Sequence, residues 1–243
     1  MKIRKKLFKR IPFFLAFKLS VFILTKKILG LKYVNTHFSQ TGEDMILDTF
    51  FRGKNTGFYI DVGCNEPIRY SNTFLFYLRG WKGINIDANK NLTNNFKKLR
   101  PKDIVLHEVI SDKEEEVTFY ISDKRPAVST IDEKTKKEWS KNHEFNRKET
   151  LKTKTLNSIL KKYNVENKKI DFLSIDVEGH DFNVLKSIDL NIYRPKIIIV
   201  ELHDFKENSE KSLLIHDYMK KFNYNLIMYL AMNAYFEDIT FKK

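Results

Sequence analysis

The sequence of 243 residues contains a single cysteine, Cys64. One cysteine excludes an internal disulfide, and so few thiols are typical of a protein from a reducing compartment. We therefore expect a cytoplasmic protein. A chain of this length is long enough to bury a complete core as one α/β domain.

No uninterrupted apolar stretch near the N-terminus is long enough to cross a membrane. The stretch at 11–24 covers 14 residues and carries Lys18 inside it, whereas a spanning helix needs about 20 apolar residues. Thr25 and two lysines follow it, where a signal peptide would have a cleavage site of small residues. Neither a spanning helix nor a signal peptide fits.

Acidic residues are missing from residues 1–32, which hold ten Lys or Arg. The net charge is +13, so the other 211 residues carry only +3. A short apolar helix with basic ends suits an anionic membrane surface. We therefore predict that residues 1–32 contact the inner face of the cytoplasmic membrane; the alternative is a helix packed on its own domain. The nearly neutral remainder and the lack of a nucleic-acid motif predict no nucleic-acid partner.

A glycine-rich phosphate loop is also missing. In the segment GFYIDVGCNEPIRYSNTF at 57–74, an apolar strand ends at Asp61 and enters a loop whose one glycine is Gly63. A dinucleotide fold would continue with two more glycines, but Asn65 and Ile68 occupy those positions. The sequence therefore argues against NAD.

Predicted strands and helices alternate along the chain, which favours a mostly parallel sheet with helices on both faces. Two apolar runs at the C-terminus are joined by a short link, so we predict that an antiparallel hairpin closes the sheet. The polar segment 123–150 has no clear period and predicts a long loop or lid, in which Trp139 stacks on a sugar or the whole segment is solvated. The predicted strands are 58–61, 82–87, 103–111, 116–122, 170–181, 196–204, 224–230 and 233–241; the predicted helices are 43–51, 72–79, 89–100, 155–163, 182–188 and 209–222.

Polar and mostly acidic residues mark the ends of the predicted parallel strands. Ligands of open α/β sheets bind beyond these carboxyl ends. Acids there would repel phosphate but would suit a cationic nucleoside, so we predict S-adenosylmethionine as the cofactor. Asp87 would bind the ribose and Asp61 with Asn65 the amino-acid end, while Gly63 would let the backbone approach the ligand. The strand-end residues are Asp61, Asp87, Ser111, Asp176 with Glu178, and Glu201 with His203.

Five segments resemble the FkbM-type methyltransferase family, in the family's order from about 38 to 201: FSQTGEDMILDTFF, GFYIDVGCNEPIRYSNTFLF, RGWKGINIDAN, TLNSIL and DFLSIDVEGHDFNVL. The resemblance implies a class I (Rossmann-like) methyltransferase domain at 33–243 and O-methylation of sugars or other small hydroxylated metabolites. It also implies that Asp176 and Glu178 lie where methyl donor and acceptor meet, and that Gln40 closes over the cofactor. The chain departs from the family at His180, where a small residue is common, and at Asp181, where Glu is. The predicted cofactor-binding residues are Gln40, Asp61, Gly63, Asn65, Asn72, Asp87, Ser111 and Asp176.

A sugar hydroxyl is a weak nucleophile and needs a base within hydrogen-bond reach. The predicted catalytic residues are Glu178, His180 and His203; alternatively, each histidine caps a helix or faces solvent. The related sequences EGHD at 178–181 and ELHD at 201–204 raise the alternative of a divalent metal that acidifies the hydroxyl. The resemblance does not require one, and we predict no metal.

These observations predict an S-adenosylmethionine-dependent O-methyltransferase that modifies a sugar, a glycan or a glycolipid precursor. One alternative is methylation of a small secondary metabolite. Another is a non-catalytic, membrane-associated protein that retains the fold.

Overall fold

The fold is taken from a computed structural model, which describes residues 10–31, 37–202 and 210–241. Eight helices and one short 3-10 turn, Pro126–Val128, lie in these ranges. The helices are α1 Phe13–Ile28, α2 Glu43–Phe50, α3 Phe74–Arg79, α4 Lys90–Leu99, α5 Glu133–Trp139, α6 Leu156–Lys162, α7 Asp181–Lys186 and α8 Glu210–Lys221. The strands are β1 Phe58–Val62, β2 Lys82–Asp87, β3 Ile104–His107, β4 Val109–Ile110, β5 Glu116–Ile121, β6 Arg147–Lys154, β7 Phe172–Ile175, β8 Ile197–Glu201, β9 Tyr224–Leu230 and β10 Asn233–Asp238.

Seven strands form one sheet in the order β3-β2-β1-β7-β8-β10-β9. Strands β3, β2, β1, β7 and β8 run parallel, and β10 pairs antiparallel with both β8 and β9. This confirms the predicted Rossmann-like fold with an antiparallel C-terminal hairpin. The registers place Val62 beside Ile86 and Ile175, so the central strands end at one edge of the sheet.

Apolar residues cover both faces of this sheet, which explains why the central strands read as continuous apolar runs. In β8, Ile198 and Val200 belong to the core on one face, and Ile197 and Ile199 to the core on the other. All four are essentially inaccessible to solvent. The alternation fixes the strand in register, because a shift by one residue would exchange the two faces.

The predicted strand at 103–111 is two strands in the structure. The chain leaves the main sheet after His107, and β4 pairs instead with β6 of a second, three-stranded sheet in the order β4-β6-β5. Strand β5 pairs antiparallel with β6, as its alternating pattern predicts.

The segment 123–150, predicted as a long loop or lid, contains regular structure. It includes the 3-10 turn, α5 and the first half of β6. Helix α5 has no buried residue, and most of β6 is exposed or half-buried. Because neither element buries an apolar face, neither leaves a hydrophobic period in the sequence.

Helix α1 contacts the domain along one side. Ile11 and Ala16 are buried in the same apolar cluster as Tyr77 and Trp81. Arg10 donates to the carbonyl oxygen of Trp81, and its guanidinium lies 4.5 Å from the Tyr77 ring centroid. No helix within the described residues has the length and apolar character needed to cross a bilayer.

Candidate functional site

A cleft of about 170 Å³ lies at the carboxyl edge of the parallel strands. It brings together nine of the eleven residues predicted for the site: Gln40, Asp61, Gly63, Asn65, Asn72, Asp87, Asp176, Glu178 and His180. Ser111 does not line the cleft, and His203 lies outside the described residues. The strand ends that the sequence marks as acidic therefore face a common space.

Gly63 directly follows β1, at a point where a side chain has no room. Its φ is +81°, and a Cβ atom there would lie 1.6 Å from the carbonyl oxygen of Asp176. Only glycine fits both the backbone conformation and this contact. The sequence predicted an approach of the backbone to the ligand, whereas the approach visible in the structure joins the ends of β1 and β7.

Asp87 ends β2, and two backbone amides hold its carboxylate. Asn89 N–H donates to Oδ1 at 2.7 Å, and Asn65 N–H donates to Oδ2 at 2.8 Å. Asn65 itself has a positive φ of 50°. Removal from bulk water raises the pKa of Asp87 to about 6, although both amide hydrogen bonds act to lower it.

Asp61 is buried, and hydroxyl groups surround its carboxylate. Thr73 Oγ1 donates to Oδ2 at 3.0 Å, Ser174 is a second hydrogen-bond partner, and the Asn72 amide donates to the Ser174 hydroxyl at 3.1 Å. Burial raises the pKa of Asp61 to about 6, while the charge of Arg100 and the Thr73 hydrogen bond oppose this shift. Asn72 thus reaches Asp61 indirectly, from the wall of the cleft.

Arg100 lies beneath the site and is completely buried. Its Nη1 donates to Thr73 Oγ1 at 3.0 Å and to Ser71 Oγ at 3.2 Å, and its Nη2 lies 2.7 Å from Asp103 Oδ2. Burial acts to lower the Arg100 pKa, but nearby anionic groups outweigh burial and raise it. No pattern in the sequence indicates this role for Arg100, because an arginine just after an amphipathic helix gives no sign of being buried.

Three carboxyl groups meet at the ends of β7 and β8. Oxygen atoms of Asp176, Glu178 and Glu201 lie within 4.8 Å of one another. Removal from water, then the charges of Glu201 and Glu178, raise the pKa of Asp176 well above its usual value, and Asp176 is hydrogen-bonded to Glu201. Such a group either shares a proton or accepts a hard divalent cation; the predicted absence of a metal stays a prediction.

Asp181 shapes the turn that carries Glu178. Its carboxylate accepts from the backbone N–H of Val177 at 2.9 Å and of Gly179 at 3.2 Å. Gly179 has a φ of +100°, and a Cβ atom there would lie 2.1 Å from Thr135 Oγ1 of α5. Close packing against α5 therefore requires glycine at this turn.

His180 is held by Ser111 from behind the cleft. Ser111 Oγ lies 2.9 Å from His180 Nε2 and 3.3 Å from Asp112 Oδ1, to which it donates. Partial burial lowers the pKa of His180, although the charge of Asp112 opposes this shift. Ser111, predicted to bind the cofactor, contacts His180 instead, because the chain turns away from the main sheet before residue 109.

Asp112 remains ionised beside this serine. Partial burial acts to raise its pKa, but hydrogen bonds from Lys186 Nζ at 2.6 Å and Asn183 Nδ2 at 3.0 Å lower it to about 2. When Ser111 donates to Asp112, its oxygen accepts from His180 Nε2–H. His180 Nδ1 then keeps its lone pair.

The FSQTGED segment holds Gln40 at the cleft. Asp44 accepts from Phe38 N–H at 2.8 Å and from Ser39 Oγ at 2.7 Å. Glu43 accepts from the Asn233 amide at 3.1 Å, which ties the segment to the start of β10. Gln40 and the neighbouring turn residue Met232 both line the cleft.

The segment from Pro126 to Trp139 forms part of the wall of the cleft. Thr130 Oγ1 donates to the carbonyl oxygen of Glu178 at 2.8 Å, so this wall is attached to the turn that carries the acids. Trp139 and Tyr70 add aromatic surface to the lining. The sequence pointed to Trp139, but the local pattern gave no signal for Thr130.

The comparison with known protein families agrees with this geometry. No curated protein matches the chain. The family model described as the methyltransferase FkbM domain matches residues 61–226, which is more than half of the chain and includes every strand end that lines the cleft. The chain is therefore a methyltransferase that belongs to the FkbM family.

Proposed function

We propose that this methyltransferase transfers a methyl group from S-adenosylmethionine to a hydroxyl of a sugar, a glycan or a glycolipid precursor. The observation that carries the proposal is the charge of the cleft. Among the described lining residues there is no Lys or Arg, whereas six are acidic: Asp61, Asp87, Glu108, Asp176, Glu178 and Glu201. This lining disfavours a phosphorylated cofactor and favours a cationic one.

The residues fit S-adenosylmethionine. Each carboxylate oxygen of Asp87 keeps a free lone pair beside its one backbone hydrogen bond, so the pair of oxygens can accept both ribose hydroxyls. Asp61 and Asn65 at the adjacent strand end suit the positively charged amino-acid part. The bound cofactor supplies a methyl group on a sulfonium, a leaving group that needs no further activation.

His180 is the proposed general base. Partial burial lowers its pKa and so favours the neutral imidazole, and the hydrogen bond with Ser111 orients the ring. With Asp112 ionised behind Ser111, the free Nδ1 accepts the proton of the acceptor hydroxyl as that oxygen becomes methylated.

A polyhydroxylated acceptor suits the rest of the cleft. The carboxylates of Glu178 and Glu201 accept hydrogen bonds from hydroxyl groups, and Gln40 can both donate and accept. Trp139 adds aromatic surface to the lining. Such a mixture of acceptors and aromatic surface matches the alternating polar and apolar faces of a sugar.

Calorimetric titration with S-adenosylmethionine tests the cofactor. The wild-type chain should bind it, and Asp87→Ala should weaken binding at least about tenfold, because both ribose hydroxyls lose their acceptor. Asp217→Ala, at a largely exposed carboxylate of α8, is the matched control and should bind normally. Absence of binding by the wild type would indicate a non-catalytic protein that retains the fold.

Incubation with a labelled methyl donor and host extracts tests the acceptor. Label should enter the glycan or glycolipid fraction and map to a methyl ether by mass analysis. Label in low-molecular-weight metabolites instead would identify the acceptor as a secondary metabolite and would contradict the proposed acceptor class.

Variants of Ser111 and His180 test whether His180 is the general base. Ser111→Ala should lower kcat with little change in KM for the cofactor, because the imidazole loses its orientation but the cofactor contacts remain. His180→Asn should also remove the rise of kcat with pH that a neutral imidazole produces. A pH profile unchanged by His180→Asn would exclude His180 as the base.

A further inference from the structure

Helix α1 presents an unusual surface, because its outward side is apolar. Six of its residues recur at helical spacing on one side, so they form a continuous stripe along the helix. Their exposed fractions range from 43% to 73%. We call these residues, Phe13, Phe14, Phe17, Val21, Leu24 and Ile28, the α1 stripe.

The first half of α1 is fixed to the domain by its opposite side, so the stripe there cannot turn inward. Ala16 is fully buried and Ile11 nearly so, in the apolar cluster that contains Trp81. Leu15 and Leu19, on the same side as Ala16, pack against this cluster. An exposed apolar patch held in place in this way is typical of an interaction surface.

Lysines border the α1 stripe on both sides. At 100° per residue, Lys27 falls beside one edge and Lys18 beside the other, and both are exposed. The Lys18 ammonium lies 4.5 Å from the Phe14 ring centroid. Aromatic and aliphatic residues flanked by lysines match the two layers of a membrane surface, acyl chains below and anionic headgroups above.

The charge of residues 1–32 favours an anionic membrane over a second copy of the chain as the partner of the α1 stripe. Residues 1–32 carry ten cations and no acid. Two copies that met through this face would bring twenty positive charges together, whereas the anionic headgroups of a bilayer attract and neutralise them.

We propose that the α1 stripe inserts into the interfacial layer of an anionic membrane and holds the methyltransferase there by this helix face. Phe13, Phe14 and Phe17 enter the acyl boundary, while Lys18 and Lys27 remain at the headgroups. The proposal does not depend on the cofactor or on the acceptor, because neither the cleft nor its residues take part.

Flotation of the full chain with vesicles tests the proposal. The protein should float with vesicles of phosphatidylcholine and phosphatidylglycerol, and its bound fraction should fall with vesicles of phosphatidylcholine alone. Phe14→Glu with Phe17→Glu should reduce partitioning into the anionic vesicles by about tenfold or more, because two charges enter the acyl boundary. Ile192→Glu changes an equally exposed apolar residue outside α1, 56% exposed, and should float like the wild type.

Two further measurements distinguish a loss of membrane binding from unfolding and from a change in oligomeric state. Thermal unfolding followed by circular dichroism should be the same for the α1 stripe variant and the wild type, since the changed residues are exposed. Light scattering after size-exclusion chromatography should give the same molar mass for both. Failure of the wild type to float, or a wild-type dimer that the stripe variant dissociates, would overturn the proposal whatever the result of the methyl-transfer assay.

Discussion

At the scale of single residues, the site depends on carboxyl groups whose ionisation the fold makes costly. Asp61 and Asp87 both have a pKa of about 6, well above the ordinary 3.8 of a carboxyl group. Removal from water is the dominant cause for both. A ligand with positive charge or hydroxyl donors would favour the ionised forms.

Binding of S-adenosylmethionine should therefore depend on pH. Affinity should fall as the pH drops through about 6, because protonation of Asp61 and Asp87 removes negative charge and hydrogen-bond acceptors. Titration calorimetry across this range measures the effect, and Asp87→Asn should flatten it. An affinity that stays constant from neutral pH to below 6 would contradict the assigned ionisations.

The same two groups affect the stability of the ligand-free protein. Their folded-state pKa of about 6 exceeds the unfolded value of 3.8, so between these values the folded state binds more protons. Stability contributed by these groups is therefore lost as the pH rises from about 4 to about 6. Cofactor-induced stabilisation should be larger above pH 6 than below it.

The ion pair of Arg100 with Asp103 illustrates how burial determines the contribution of an ion pair to stability. Arg100→Met should lower the free energy of unfolding by about 3–5 kcal/mol, because Asp103 is left buried without its partner. Arg79→Met removes a pair with Asp48 in which both side chains are partly exposed, and should cost less than about 1 kcal/mol. Denaturant titration measures the free energy of unfolding of both variants. Equal losses would contradict the larger contribution expected of the buried pair.

At the scale of secondary-structure elements, the apolar pattern determines what the sequence can predict. The strands β1, β2, β7 and β8 are covered on both faces and appear as short apolar runs, so their positions and order were predictable. Strand β6, RKETLKTK, carries charged side chains on both faces, and its neighbours in space rather than its own pattern make it a strand. The same holds for α5, which buries none of its side chains.

The residues of the site were predictable to the extent that they end strands. Asp61, Asp87 and Asp176 could be placed together because parallel strands end at one edge. Ser111 could not, since the departure of β4 from the main sheet depends on pairing with the distant strand β6. Arg100 and Thr130 act through hydrogen bonds between segments far apart in sequence, which no local pattern reveals.

The turn between β9 and β10 offers a test at this scale. Ala231 and Met232 have φ values of 49° and 69°, a conformation that asparagine and glycine adopt most readily. Ala231→Asn should stabilise the protein by about 0.5–1 kcal/mol in denaturant titration. Ala231→Ser adds polarity without the conformational preference, and a similar gain from serine would refute this explanation.

At the scale of the whole molecule, charge and apolar exposure are concentrated in one terminal segment. Residues 1–32 carry ten of the thirteen net positive charges, and α1 has apolar residues on both its buried and its exposed sides. The cleft is acidic by contrast. The chain thus separates a basic, apolar surface from the acidic site at the carboxyl edge of the sheet.

Removal of the terminal segment should destabilise the domain. A chain that begins at residue 37 loses Ile11 and Ala16 from the core and uncovers Tyr77 and Trp81. It should unfold at a lower temperature than the full chain in scanning calorimetry. An unchanged Tm would mean that α1 adds nothing to the domain.

The contact between Gly63 and the carbonyl oxygen of Asp176 has a consequence for how this enzyme can diversify. The backbone of Gly63 lies against the peptide carbonyl of Asp176, and even a methyl group at position 63 would collide with it. Substitution at position 63 can therefore hardly reshape this part of the cleft. New acceptor preferences would arise instead on the wall between Pro126 and Trp139, where substitutions change side chains without disturbing the main sheet.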